Sequence, residues 1–122
     1  MSLSIQELQD MIEKFVHERN WHKYHAPKNL ASSISIEAAE LLELFQWVSE
    51  EESREMVSNP KLKDAMANEL ADIMHYILAF ANSTDIDLEK AFLDKLERNR
   101  SRFSEEMPDE QIKYKLDRYH SE

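Results

Sequence analysis

The sequence predicts an all-α fold, an antiparallel bundle of helices, and three observations carry that prediction. Glycine is absent from the 122 residues. Strand-like alternation is rare, and 33% of the residues are charged, as solvated helix faces require. The three prolines, Pro27, Pro60 and Pro108, stand where helices should begin or be separated. The length suits one domain, so a single domain is expected over 1–122, with its core at about 4–103 and a tail at 104–122.

The elements follow in order. Ser4 and Glu7 have capping-box spacing, and Ile5, Leu8, Ile12 and Phe15 then recur at the helical period, which predicts a first helix to about Arg19. A loop is expected over 20–28. The second helix is predicted from Asn29 through Val48, with Leu30, Ile34, Leu41, Phe45 and Val48 inward. The acidic run from Glu50 to Glu55 reads as a solvated connector. Pro60, behind Ser58 and Asn59, starts a third helix whose stripe of Leu62, Met66, Leu70, Ile73, Ile77 and Phe80 reaches Ala81. Asp85 or Asp87 is expected to cap a fourth helix with Leu88, Ala91, Phe92 and Leu96 inward. Pro108 opens a polar tail.

Composition excludes several functions. Without glycine the chain cannot build the phosphate cradles of the P-loop or the dinucleotide fingerprint, nor an EF-hand loop. Without cysteine it has no disulfide, no Cys-ligated zinc and no thiol nucleophile, which fits a reducing compartment. The 25 acids exceed the 15 bases, for a formal net charge of −10. Such a chain repels nucleic acid polymers and anionic membranes, and a polyanionic substrate needs a cation as mediator. The longest apolar run, Tyr76 to Ala81, is far below the roughly 20 residues of a bilayer span, and the N-terminus lacks a signal-peptide apolar stretch. A soluble cytoplasmic protein is expected.

The chemistry lies in carboxylates. Glu37 and Glu40 sit three apart among Ala38, Ala39 and Leu41, and so share a helix face. Glu69 and Asp72 repeat the spacing, with Glu69 inside the stripe of Met66, Leu70 and Ile73, where a lone charge would be costly. A solvated face explains any single pair. Two pairs on successive helices form an all-oxygen nest of the kind that Mg²⁺ or Mn²⁺ prefers.

Glu37-Ala38-Ala39-Glu40 followed by Glu69-Leu70-Ala71-Asp72 resembles the ExxE...ExxD metal signature of the all-α nucleoside triphosphate pyrophosphatases, the MazG-like superfamily. Arg19-Asn20-Trp21, His25, Pro27, Asn29-Leu30, Glu40 to Glu43 and Leu44-Phe45-Gln46-Trp47 are similar to the N-terminal half of its dCTP pyrophosphatase branch. Lys95, Asn99-Arg100 and Arg102-Phe103 are similar to that branch's fourth helix. The resemblance covers about Ile5 to Phe103. It implies a four-helix bundle completed by oligomerisation, as a homodimer or a tetramer built as a dimer of dimers. Leu44, Met74 and Leu78 are expected to face other chains. It further implies hydrolysis of a nucleoside triphosphate, dCTP or a modified dCTP, to monophosphate and pyrophosphate, serving nucleotide-pool sanitation. Glu37, Glu40, Glu69 and Asp72 would hold Mg²⁺, and one of them or Glu43 would orient the water. Glu43, three beyond Glu40, is otherwise an ordinary exposed charge.

Lys95, Asn99 and Arg102 follow i, i+4, i+7 and make one helix stripe. The resemblance assigns them to the β- and γ-phosphates; surface ion pairing is the alternative. Trp47, seven beyond Glu40, would lie roughly 10 Å further along the same helix face, about the reach from α-phosphate to base. It is expected to stack on the base, with Trp21, His25 and Asn29 completing the pocket, or else to serve packing. Tyr76 would bond a ligand carboxylate or the sugar, or fill the core. His75 reads as an ordinary helix residue. A di-iron bundle would need Glu-x-x-His on two helices, which only Asp72 to His75 approximates. A helical interaction module, with its tryptophans in a partner interface, is the non-enzymatic alternative.

Overall fold

A computed structural model describes residues 2–103 and Glu105. Among these residues the chain forms five α-helices and no strand: α1 Ile5–Glu18, α2 Pro27–Glu43, α3 Glu50–Met56, α4 Pro60–Thr84 and α5 Leu88–Arg102. The expected tail falls outside them, except for Glu105. Contacts divide the chain into two compact units, Met1–Leu88 and Glu89–Glu122.

The first helix begins as its capping box demands. Ser4 Oγ accepts from the Glu7 amide at 3.1 Å, and Glu7 Oε1 accepts in return from the Ser4 amide at 3.2 Å. It ends at Arg19, and Asn20 then turns through φ 55°. At the far end of α4, Asp85 takes φ 56° and the Ile86 amide donates to the Ala81 carbonyl at 2.9 Å. Among the described residues, this glycine-free chain gives its two left-handed positions to Asn and Asp, the residue types that bear that conformation best. Asp85 is therefore the C-cap of α4.

Three boundaries differ from the sequence expectation. The loop over 20–28 contains a 3-10 turn, His22–Tyr24, and Pro27 is the first residue of α2. The second helix stops at Glu43. Beyond it the amides of Leu44, Phe45 and Gln46 donate to the carbonyls of Leu41, Leu42 and Glu43, so the chain tightens from α-helical to i→i+3 turns. The run from Glu50 to Glu55 is helical. Ser49 Oγ accepts from the Glu52 amide at 3.1 Å, a second capping box, and Arg54 lies 3.9 Å from Glu50 and 3.4 Å from Glu51. Local capping and i, i+4 charge pairs sustain that helix without a buried residue.

In the first unit α4 packs against both α1 and α2. Val16 of α1, Leu30 of α2, and Leu78, Ala79 and Ala81 of α4 are its buried apolar residues. Leu78, expected to face another chain, is thus core. Asn59 Oδ1 accepts from the amides of Lys61 and Leu62 and starts α4, whose length places Glu69 beside α2 and Asn82 beside α1. A polar clasp joins α1 to α4. Gln9 Nε2 donates to Asn82 Oδ1 at 3.1 Å, and Asn82 Nδ2 donates to the Gln9 carbonyl at 2.8 Å.

The second unit departs from expectation in the side chains it exposes. Phe92 and Leu96 of α5, expected inward, are exposed, while Lys95, Asn99 and Arg102 are half-buried.

Candidate metal centre

Because α2 packs on α4, their glutamates meet. One carboxylate oxygen from each of Glu37, Glu40 and Glu69 lies within 4.8 Å of the others. All three side chains are half-buried. Glu37 Oε2 and Glu69 Oε2 are buried without a hydrogen-bond partner, so ionising all three glutamates leaves these oxygens facing like charge. The Glu37 carboxyl is accordingly raised to about 7, first by burial, then by hydrogen bonding and repulsion from Glu40, then by the charges of Asp72 and Glu69. Burial also raises Glu69, with the Glu40 charge next.

These observations fit a hard divalent cation. The donors are all carboxylate oxygens, and two lack any partner the chain supplies. A double positive charge would relieve both the desolvation and the repulsion. Asp72 lies one turn beyond Glu69 on α4, exposed and outside the converging trio, though its charge still raises both Glu37 and Glu69. Glu43 is the exposed last residue of α2.

The aromatic candidates scatter around the first unit. Trp47 stands 87% exposed in the turns after α2. Since the helix has ended, its position does not follow from extending the Glu40 face. Trp21 makes an edge contact with Phe15 at 5.6 Å, and the Arg19 guanidinium lies over Phe15 at 3.8 Å. Tyr76 is half-buried with its ring edge-on to His75 at 5.2 Å. His75 in turn meets Phe15 at 5.7 Å, and burial lowers its pKa. Asn29 Nδ2 donates to the Tyr24 carbonyl at 3.4 Å, tying the 3-10 turn to α2.

His25 closes that turn. Its carbonyl accepts from Ser83 Oγ at 2.7 Å, and it lines a cavity of about 340 Å³ with Ile12, Glu13, His22, Asn82 and Ser83. Burial lowers the His25 pKa, and the neighbouring His75 and His22 lower it further. Sequence reasoning gave no role to Glu13, His22 or Asn82. His22 Nε2 meets Glu13 Oε1 at 2.5 Å across the loop, a pairing that no helical spacing encodes. Lys95, Asn99 and Arg102 form one half-buried stripe within α5, as their spacing predicts.

The MazG-like family model matches residues 32–118, which include all four acidic motif positions. The dCTP pyrophosphatase 1 of Rattus norvegicus is 34% identical over 100 residues, covering 82% of this chain and 59% of that protein. The Homo sapiens protein of the same name is 33% identical over the same span. This chain therefore spans 59% of the length of these mammalian relatives. A pyrophosphatase from Archaeoglobus fulgidus, known from its crystal structure, superposes with a TM-score of 0.76 at 39% identity, covering 86% of this chain and 96% of that one. With most of its length matched, acidic motifs included, the chain belongs to the MazG-like family.

Proposed function

We propose that this protein is a divalent-metal-dependent nucleoside triphosphate pyrophosphohydrolase acting on a deoxynucleotide, dCTP or a modified dCTP, in nucleotide-pool sanitation. The observation that carries the reading is the convergence of Glu37, Glu40 and Glu69 with two buried, partnerless oxygens. The similar mammalian dCTP pyrophosphatases and the archaeal pyrophosphatase support the reaction class.

Glu37, Glu40 and Glu69 would hold the ion, with Asp72 as a fourth, outer carboxylate. Mg²⁺ bound there would neutralise phosphate charge, polarise the phosphoryl oxygen and acidify water. The reaction joins the water oxygen to the α-phosphorus and breaks that atom's bond to the oxygen bridging to the β-phosphorus, so that monophosphate and pyrophosphate leave. One proton of the water must be accepted, and exposed Glu43, or whichever carboxylate is left free by the ion, is the acceptor at hand. The acidic trio also makes the chain selective: a triphosphate that arrives without its cation is repelled.

Trp47, exposed and beyond the end of α2, would stack on the base, with Trp21, His25, Asn29 and Tyr76 around the nucleoside. Lys95, Asn99 and Arg102 would grip the β- and γ-phosphates. The enzyme would assemble as a homodimer or a dimer of dimers. Exposed apolar residues on both metal-bearing helices support this: Ile36 and Leu42 of α2 are 58% and 66% exposed, and Leu70 of α4 is 57% exposed. Incubation with each dNTP and NTP plus Mg²⁺, with products resolved by chromatography, tests the reading. Monophosphate with pyrophosphate, fastest from dCTP, is expected. Diphosphate with phosphate would assign the wrong bond, and no turnover or thermal shift with any substrate would favour an interaction module.

A further inference from the structure

Glu13 of α1 and His22 of the 3-10 turn line the cavity of about 340 Å³ that is also lined by His25, Asn82 and Ser83. That volume is roughly ten times the ~30 Å³ share of one liquid water, enough for a pyrimidine ring and its substituents. The loop that bounds it is tied down on two sides. His22 Nε2 donates to Glu13 Oε1 at 2.5 Å, which fixes the loop to α1, and Ser83 Oγ donates to the His25 carbonyl at 2.7 Å, which fixes it to α4. A small ligand therefore meets groups already held in place.

The cavity stands at a nucleoside's reach from the acidic part of α4. It meets that helix at Ala79, Asn82 and Ser83. Ala79 and Ser83 are seven and eleven residues beyond Asp72, two and three turns along one helix face, which sets them roughly 10 to 16 Å further along the axis. The distance from an α-phosphorus to the far edge of its base falls in this range.

The polar groups of the cavity differ in what they can recognise. Burial, with the nearby His75 and His22, keeps the His25 imidazole neutral against the opposing pull of Glu13. A neutral imidazole carries one N–H and one lone pair and can exchange them between its nitrogens, so it meets a donor or an acceptor equally well. The Asn82 amide is engaged by Gln9 through both of its atoms. Glu13 has no such freedom. A carboxylate accepts and never donates, and with Oε1 taken by His22 its Oε2 meets no donor among the described residues. The Glu13 and His22 side chains are each about half exposed, so the carboxylate is open to a ligand. Cytosine and uracil share a ring and differ at C4, where one has an amino donor and the other a carbonyl acceptor. A carboxylate accepts from the cytosine amine and repels the uracil carbonyl.

Resting on the reading of this chain as a deoxynucleotide pyrophosphohydrolase, we infer that this cavity receives the base and that Glu13 determines specificity, its Oε2 accepting from a 4-amino group and so selecting amino-pyrimidine over oxo-pyrimidine nucleotides. Steady-state turnover of dCTP and dUTP in Mg²⁺ by the wild type and by Glu13→Gln tests it. The glutamine can still accept from His22, which keeps the loop tied, but it then presents an N–H where the carboxylate presented a lone pair. The ratio of kcat/KM for dCTP to that for dUTP is expected to fall at least tenfold at an unchanged melting temperature. An unchanged ratio, or an equal loss with both nucleotides, would overturn the assignment. A second measurement needs no turnover: the ring C–H resonances of His22 and His25 in the full ¹³C-labelled chain are followed during titration with 2′-deoxycytidine and with 2′-deoxyuridine. Saturable shifts with deoxycytidine, at least tenfold weaker binding of deoxyuridine, are expected, whereas no shift or equal affinity would overturn the inference. Selective binding of deoxycytidine by a chain that turns over no triphosphate would sink the reaction alone, and turnover without base selection at Glu13 would sink this inference alone.

Discussion

Glu37 of α2 and Glu69 of α4 each bury a carboxylate oxygen that meets no partner, and burial raises the pKa of both, with Glu40 and Asp72 raising both further. Two helices that pack on one another thus carry an electrostatic conflict at their contact, which a bound cation would resolve.

Mg²⁺ is therefore expected to raise the melting temperature of the chain. At a concentration 100 times its Kd the gain is about 2.7 kcal/mol by mass action. Glu69→Gln should melt higher than the wild type in EDTA, because a repelling charge is gone, and should lose most of the Mg²⁺-induced shift. Differential scanning calorimetry of the two proteins with and without Mg²⁺ checks both halves.

The pH dependence of the metal-free protein has a defined sign. The folded Glu37 carboxyl titrates near 7 against 4.5 unperturbed, so the folded state binds the extra proton in between. Its stabilising contribution is complete below 4.5 and is lost as pH rises to about 7. His25 and His75, whose folded pKa values lie below 6.5, pull the other way: their contribution is present above 6.5 and is lost as pH falls. The difference between wild type and Glu37→Gln isolates the first effect. In EDTA, the wild type should lose stability relative to the variant between pH 4.5 and 7, as read by urea titration.

Trp47→Ala should leave the melting temperature unchanged, since the side chain is almost wholly exposed. If it stacks on the base, KM should rise roughly 5- to 150-fold, as about 1–3 kcal/mol per stacked base implies. Trp21→Ala should behave differently and lower the melting temperature, because Trp21 packs on Phe15. Steady-state kinetics beside thermal melts separate the two tryptophans.

Ser49→Ala removes the cap of α3 and should cost about 1 kcal/mol. The Mg²⁺-induced shift should survive, because α3 carries none of the converging glutamates. Urea unfolding with and without Mg²⁺ measures both.

What the sequence made legible follows from where its signals were local. The Ser4 box, the entry at Pro60 and the pairing of Glu37 and Glu40 all depend on residues within four positions of one another. The helix at Glu50–Met56 carried the same local signal, Ser49 with Glu52, but its charged residues show no apolar period and so resemble a connector. The end of α2 at Glu43 left no glycine or proline mark, because the chain changes its hydrogen-bond pattern without leaving helical turns. The α5 expectation failed for another reason: periodicity identifies the stripes but not which one is covered, and here Lys95, Asn99 and Arg102 are covered more than Phe92. Gln9 and Asn82 could not be paired from spacing at all, since only the packing of α1 on α4 brings them together.

The most direct test of the central claim is the turnover of dCTP by Glu40→Gln in saturating Mg²⁺, with helix content checked by circular dichroism. The variant is expected to be folded with its production of dCMP and pyrophosphate collapsed, while the wild type forms both products and stops in EDTA. Wild-type-like kcat in the folded variant would contradict the assignment of Glu37, Glu40 and Glu69 as the metal centre.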